Sequence, residues 1–104
     1  MNQPGKQCNR RGRSWQKTML RCLRLMNQYK RGEHMEAEEA MLAKTLLSKL
    51  TPLQETYLRL YYGSVLTQDQ IGKLLGCNLS SVSRGLNRAE DNVDRILADL
   101  NLKS

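Results

Sequence analysis

The chain has 104 residues, enough for one compact domain, and carries 17 Lys and Arg against 10 Asp and Glu for a net charge of +7. No apolar run approaches the roughly 18–20 residues of a membrane span, and no apolar segment follows the first charges, so a secretory signal is not expected. Three scattered cysteines and one histidine give no metal-ligand spacing and no nucleophile–base pair stands out. The expectation is a non-enzyme without cofactor or metal, its thiols reduced in the cytoplasm.

The charge is uneven. Residues 1–31 hold nine Lys and Arg and no acid, whereas residues 32–104 hold eight Lys and Arg and all ten acids. A basic arm beside a near-neutral remainder suits contact with phosphate, where each neutralised charge releases counterions. A solubilising tail is the plainer alternative. The arm candidates are Arg10, Arg11, Arg13, Lys17, Arg21 and Arg24.

Residues 1–12 are polar, basic and broken by Pro4, Gly5 and Gly12, which predicts a disordered arm. Residues 13–104 are expected to form a single helical domain, with N-terminal helices in 13–50 and the remainder in 51–104. Ser14 is the expected N-cap of a first helix that runs to about Arg31, with Gly32 as its stop. Trp15, Met19, Cys22, Leu23 and Met26 recur at helical spacing, while Lys17, Arg21, Arg24 and Gln28 fall on another face. This amphipathic basic helix packs on the domain or, in other settings, docks on membranes or proteins; no membrane partner is expected here. A second helix is predicted from Met35 to Lys49. Glu36, Glu38 and Glu39 suit its dipole and stand ready to face the basic first helix, and Ala40, Ala43, Leu46, Leu47 and Leu50 supply its buried side.

Thr51-Pro52-Leu53-Gln54 combines a cap, a proline at the first helical position and a capping-box glutamine. The third helix carries Leu53, Tyr57, Leu58, Leu60 and Tyr61 and ends near Gly63. Thr67-Gln68-Asp69-Gln70 repeats the capping pattern and starts a fourth helix through Leu75. After Gly76, Asn78 caps a fifth helix of about 20 residues, roughly 30 Å long. Val82, Leu86, Ala89, Val93, Ile96, Leu97 and Leu100 mark its apolar side. Val93, Leu97 and Leu100 suit either the monomer's own core, which is preferred, or a homodimer seam.

Two short helices around a glycine turn, followed by a polar second helix, describe a helix-turn-helix. Ile71, Leu75, Val82 and Leu86 are placed to pack the pair. Gly72 is small where the helices cross, Gly76 takes the left-handed turn position, and Cys77 acts as a small apolar plug.

Residues 50 to about 93 resemble region 4 of the sigma-70 family of bacterial RNA polymerase sigma factors. The likeness rests on Leu-Thr-Pro-Leu-Gln-Glu-Thr-Tyr-Leu-Arg-Leu-Tyr-Tyr at 50–62 and on residues 66–88, with Ser81-Val-Ser-Arg-Gly-Leu-Asn-Arg-Ala89 close to how such recognition helices read. The resemblance implies an all-α fold of about five helices, with a C-terminal helix-turn-helix of region 4 type behind an N-terminal basic helix. It also implies a module of bacterial or phage transcription that binds promoter DNA in the major groove and touches the polymerase flap. Carried over by position, Ser80, Ser81, Ser83 and Arg84 face base edges, with Arg84 the best guanine reader. Asn87 and Arg88 reach phosphate or the groove wall, Arg88 having an intrahelical pair with Asp91 as its alternative. Thr67, Gln68 and nearby amides hold a phosphate, as does Lys73 more weakly. The serines have as their alternative an exposed polar face with helix-start roles only.

Nothing in residues 1–50 resembles region 2, the promoter-melting part of a sigma factor, so action as a complete sigma factor is not expected. Gly85, inside the recognition helix, either permits close approach to DNA or to the third helix or is simply tolerated. Leu79 is apolar where a polar residue is more usual, which makes the helix start lean on protein or on a thymine methyl. The leading expectation is a sequence-specific regulator of transcription bound to double-stranded DNA. The alternative is a protein-interaction factor that engages RNA polymerase or a sigma factor without reading DNA. RNA binding is less attractive, because Trp15 and Tyr29 are the only stacking residues of the arginine-rich helix.

Overall fold

In the computed structural model, residues 12–100 are described, and they form five helices: α1 Gly12–Lys30, α2 Ala37–Lys49, α3 Pro52–Leu58, α4 Gln68–Leu75 and α5 Leu79–Asp99. A π-helical turn, Arg59–Gly63, continues α3. The fold is all-α, as expected. The arm at 1–12, with Arg10 and Arg11, lies outside the described residues except for Gly12, where α1 begins.

α1 corrects one expectation. Ser14 stands inside the first turn rather than capping it. Trp15 anchors that turn, donating its indole N–H to Tyr62 Oη at 3.2 Å, and such a tertiary tie outweighs a weak local cap signal. The other end follows the local code. Gly32 adopts φ 73°, and Glu33 N–H bonds back to the Gln28 carbonyl while Gly32 N–H bonds to Tyr29, a Schellman closure that only a residue comfortable at positive φ supports cheaply.

The apolar stripe of α1 is buried as predicted, and Leu25 joins it at 1% exposure. The extra burial follows from two neighbours, since α1 packs against both α2 and the π turn. α2 starts two residues later than expected, at Ala37, with no side-chain cap from Glu36. Leu42, Ala43, Leu46 and Leu50 are buried, with Ala40 and Leu47 only half covered. The ion pairs at the C-terminal end of α1 go to Glu33, which meets Arg31 at 2.7 Å, and to Glu55, which meets Lys30 at 2.9 Å, rather than to the glutamates that open α2. Glu55 also holds Arg59 at 2.7 Å. Burial alone would raise the Glu55 carboxyl, but hydrogen bonds from Lys30 and Arg59, and their charges, hold it below its ordinary value. Arg59 in turn donates to Asn27 Oδ1, so one guanidinium ties α1 to α3.

The capping box that opens α3 is present in both directions, with Gln54 N–H on Thr51 Oγ1 at 3.1 Å and Thr51 N–H on Gln54 Oε1 at 3.2 Å. Leu53, the first of the apolar residues that α3 carries, is 54% exposed. It stands at the second helical position, where α3 has only just begun to meet the core. The helix end is wider than sequence periodicity foresees: Ser64 N–H bonds to the Arg59 carbonyl, five residues back. This turn brings Tyr62 inside, 6% exposed, with its ring edge-on to Tyr61. Val65 follows at φ 58°, a strained conformation for a β-branched residue.

α5 runs the length of the domain and packs on α3, α4 and α2. Val93 and Leu97 are buried at 1% and 2% exposure, and Leu100 is half-buried against the same core. These residues therefore pack into the chain's own core. Burial pushes the Cys22 thiol up to about 11, against the pull of Arg21, which keeps it protonated as a small core residue. No helix among the described residues is long and apolar enough to cross a membrane.

Candidate nucleic-acid interface

Local chemistry sets the spacing of α4 and α5. Thr67 Oγ1 accepts from Gln70 N–H at 3.1 Å while Gln70 Oε1 accepts from Thr67 N–H at 2.9 Å. At the other end Gly76 is left-handed, φ 74° and ψ 32°, and Cys77 N–H returns to the Gly72 carbonyl at 2.8 Å. Asn78 Oδ1 then accepts from Ser81 N–H at 2.8 Å and starts α5. Three residues thus join two capped helices.

Packing fixes the crossing. Ile71, Val82 and Leu86 are fully buried between the helices. Gly72 is required: a Cβ there would lie 2.7 Å from the Cys77 carbonyl oxygen and 3.6 Å from Val82 Cγ2. Leu75 departs from the expected packing at 36% exposure, because α4 ends there and its last side chain overhangs the turn. Cys77 is half-buried against the core. Behind the pair, the Tyr57 ring fills the space opened by Gly85, so that glycine permits close approach to α3 rather than being simply tolerated.

The outward row of α5 follows from this seating. Ser80, Arg84 and Arg88 are exposed at four-residue spacing, with Asn87 half-buried beside them. Ser81 and Ser83 are half-buried on the flanks. Arg88 and Asp91 line one shallow cleft with Gln54, Asn92 and Arg95. Residues 79–89 contain Arg84 and Arg88 and no acid, so this half of α5 is locally positive although residues 51–104 balance overall. Arg95 extends the exposed row past Asp91 and was not singled out from sequence; its seven-residue distance from Arg88 was the available signal.

The start of α4 conforms less well. Thr67 is exposed, but its hydroxyl is committed to the cap. Thr67→Ala is accordingly expected to lower stability by about 1 kcal/mol in urea unfolding. Gln68 is only 4% exposed, so its side chain is largely withdrawn from the surface where a phosphate contact was expected. Lys73 lies 3.4 Å from Asp69, with both side chains well exposed, and such a pair is too weakly held to withhold the lysine from another anion. Lys17, Arg21 and Arg24 are exposed on α1, which rests on α2 and the π turn rather than beside the outward row of α5. Arg13 lies in the first turn of α1. Among the described residues no three His, Cys, Asp or Glu side chains gather as a metal site.

A comparison with protein families bears on this geometry. Residues 46–93 match the family model Sigma-70, region 4. The match covers just under half of the chain. It takes in the end of α2, α3, α4 and the half of α5 that carries the outward row. Region 4 is a DNA-binding helix-turn-helix module, and α4 and α5 have that form here. α1 and most of α2 lie outside the region 4 match. No curated protein and no solved structure gives a match.

Proposed function

We propose that the protein is a sequence-specific DNA-binding regulator of transcription that lays the N-terminal half of α5 in the major groove. The observation that carries this reading is the outward row of Ser80, Arg84 and Arg88 on a capped helix-turn-helix, backed by the region 4 match. Arg84 reads guanine, since a guanidinium bonds O6 and N7 together. Ser80, Ser81 and Ser83 face neighbouring base edges, and Asn87 and Arg88 hold phosphate. Thr67, Lys73 and the first amides of α4 meet the backbone, with the side chain of Gln68 excluded. Lys17, Arg21 and Arg24, with Arg10, Arg11 and Arg13 before them, add grip that does not depend on sequence.

The test compares a duplex selected from a random library with an unrelated duplex. Arg84→Ala is expected to cost about 2 kcal/mol on the selected duplex and to relax base preference, whereas Arg21→Ala weakens both duplexes alike and flattens the salt dependence. Equal effects of the two substitutions on both duplexes would sink this division of roles. A second reading, engagement of RNA polymerase or a sigma factor, draws support from Leu74, which is 63% exposed at the end of α4. Capture of core polymerase that survives nuclease, with no duplex retarded at low salt, would establish it in place of the first.

A further inference from the structure

Leu79 is the first residue of α5, immediately after the Asn78 cap. It is 43% exposed, and no other large apolar side chain on α5 is exposed among the described residues. The core does not use it: Val82 and Leu86 seal α5 against α4, and Leu79 is absent from the half-buried residues that pack around them. Helix formation does not call for it either, since leucine has no advantage over alanine at this position and leaves apolar area in water. Its surroundings are those of a groove-facing surface. Ser80 is next in sequence, Ser83 is one turn on along the same side, and Arg84 lies beyond.

A residue in the first turn of a recognition helix reaches base edges. Major-groove base edges present hydrogen-bond donors, acceptors and one apolar group, the 5-methyl of thymine. A leucine can pair with nothing there except that methyl, and the carboxylate-free stretch 79–89 suits the surrounding phosphates. We infer that Leu79 is a specificity-determining residue that reads a thymine 5-methyl group in the bound site. This rests on the DNA-reading function proposed above and adds a base class to it.

The test uses the duplex selected with the wild-type chain, resynthesised with each thymine replaced in turn by deoxyuridine, which lacks only the methyl. Dissociation constants for wild type, Leu79→Ala and Arg84→Ala complete a double-mutant cycle. One replacement is expected to weaken the wild type about fourfold, the weight of one buried methyl. The same replacement should leave Leu79→Ala unchanged and should still weaken Arg84→Ala about fourfold. Leu79→Ala keeps a helix-forming residue at an exposed site, and an unchanged thermal transition would confirm that it folds. The inference falls if no deoxyuridine affects the wild type, or if Leu79→Ala loses as much as the wild type does. It also falls if Leu79→Ala reduces nuclease-resistant capture of core polymerase while duplex affinity stays the same. If the library yields no enriched duplex, the DNA-reading function fails first, an outcome distinct from failure of the methyl contact alone.

Discussion

Gly85→Ala is expected to lower the unfolding free energy by about 2 kcal/mol, although alanine is the better helix former by about 1 kcal/mol. The reason is the Tyr57 ring. A methyl carbon at position 85 would lie 2.1 Å from Tyr57 Cε2, 2.7 Å from Cδ2 and 3.0 Å from Cζ, so either the ring or α5 must move. Tyr57 is only 4% exposed. Burial first, and then the neighbouring Cys77, raise its hydroxyl above the ordinary tyrosine value, and the ring itself lies directly against Gly85. Overpacking of this kind costs about 1–3 kcal/mol, and the short contact puts the cost at the upper end before the helix gain is subtracted. A fall of about 10 °C in Tm is the corresponding thermal shift. Tyr57→Leu in the same chain removes the obstructing atoms, so the double variant should lose less than the sum of the single losses. The substitution also bears on function. Pushing α5 off α3 moves Ser80 and Arg84 relative to α4, and affinity for the selected duplex should fall with stability. A Tm within 2 °C of wild type would refute the close approach.

The role of Gly85 shows where sequence stops being legible. Its partner is 28 residues away, and nothing local distinguishes a glycine tolerated in a helix from one that admits a ring. The helix starts were legible because caps are local: Thr51 with Gln54, Thr67 with Gln70 and Asn78 with Ser81 each close within three residues. Gly76 was legible for the same reason. Periodicity gave the direction of each face about its own axis but not what covers it. Leu25 and Leu42 are thus buried outside the expected sets, while Leu53 and Leu75 project at helix ends. The π turn had no signal, since its widening hydrogen bond reflects what Tyr62 meets inside.

The same distinction applies to the interface. Ser80, Arg84 and Arg88 are exposed, as expected, because they oppose the buried Val82 and Leu86 on one helix, a relation contained in a few residues. Gln68 is buried although a polar residue after a cap ordinarily faces water, and only its neighbours in space remove it. A helix-turn-helix is therefore easier to read for where it points than for how it is held. The support behind α5 comes from α3 and from α2, and all of α1 and most of α2 lie outside the matched residues.

Tyr62→Phe is expected to cost about 3 kcal/mol, far more than one oxygen atom at a surface would. The Tyr62 hydroxyl donates to Glu90 Oε2 and accepts from Trp15 Nε1–H, joining α1, the π turn and α5 through one buried group. Exposure is 8%, 6% and 1% for Trp15, Tyr62 and Glu90, so water cannot readily replace what the phenylalanine withdraws. A lone hydrogen bond contributes about 1 kcal/mol net, but stripping a partner from a buried carboxyl and a buried indole adds a desolvation cost of about 1–3 kcal/mol. Glu90→Gln keeps an acceptor oxygen and nearly the same volume, and its loss should be nearer 1 kcal/mol. Tyr62→Phe combined with Glu90→Leu removes both polar ends, so the pair should cost less than the separate losses added together. Urea unfolding followed by Trp15 emission reports stability and local hydration at once, since Trp15 is the only tryptophan in the chain. In folded Tyr62→Phe the Trp15 emission should change as the indole N–H loses the hydroxyl that accepts from it. A loss below about 0.5 kcal/mol, the size of an ordinary surface effect, with unchanged emission would show that α1 is held to the rest of the domain by apolar packing alone.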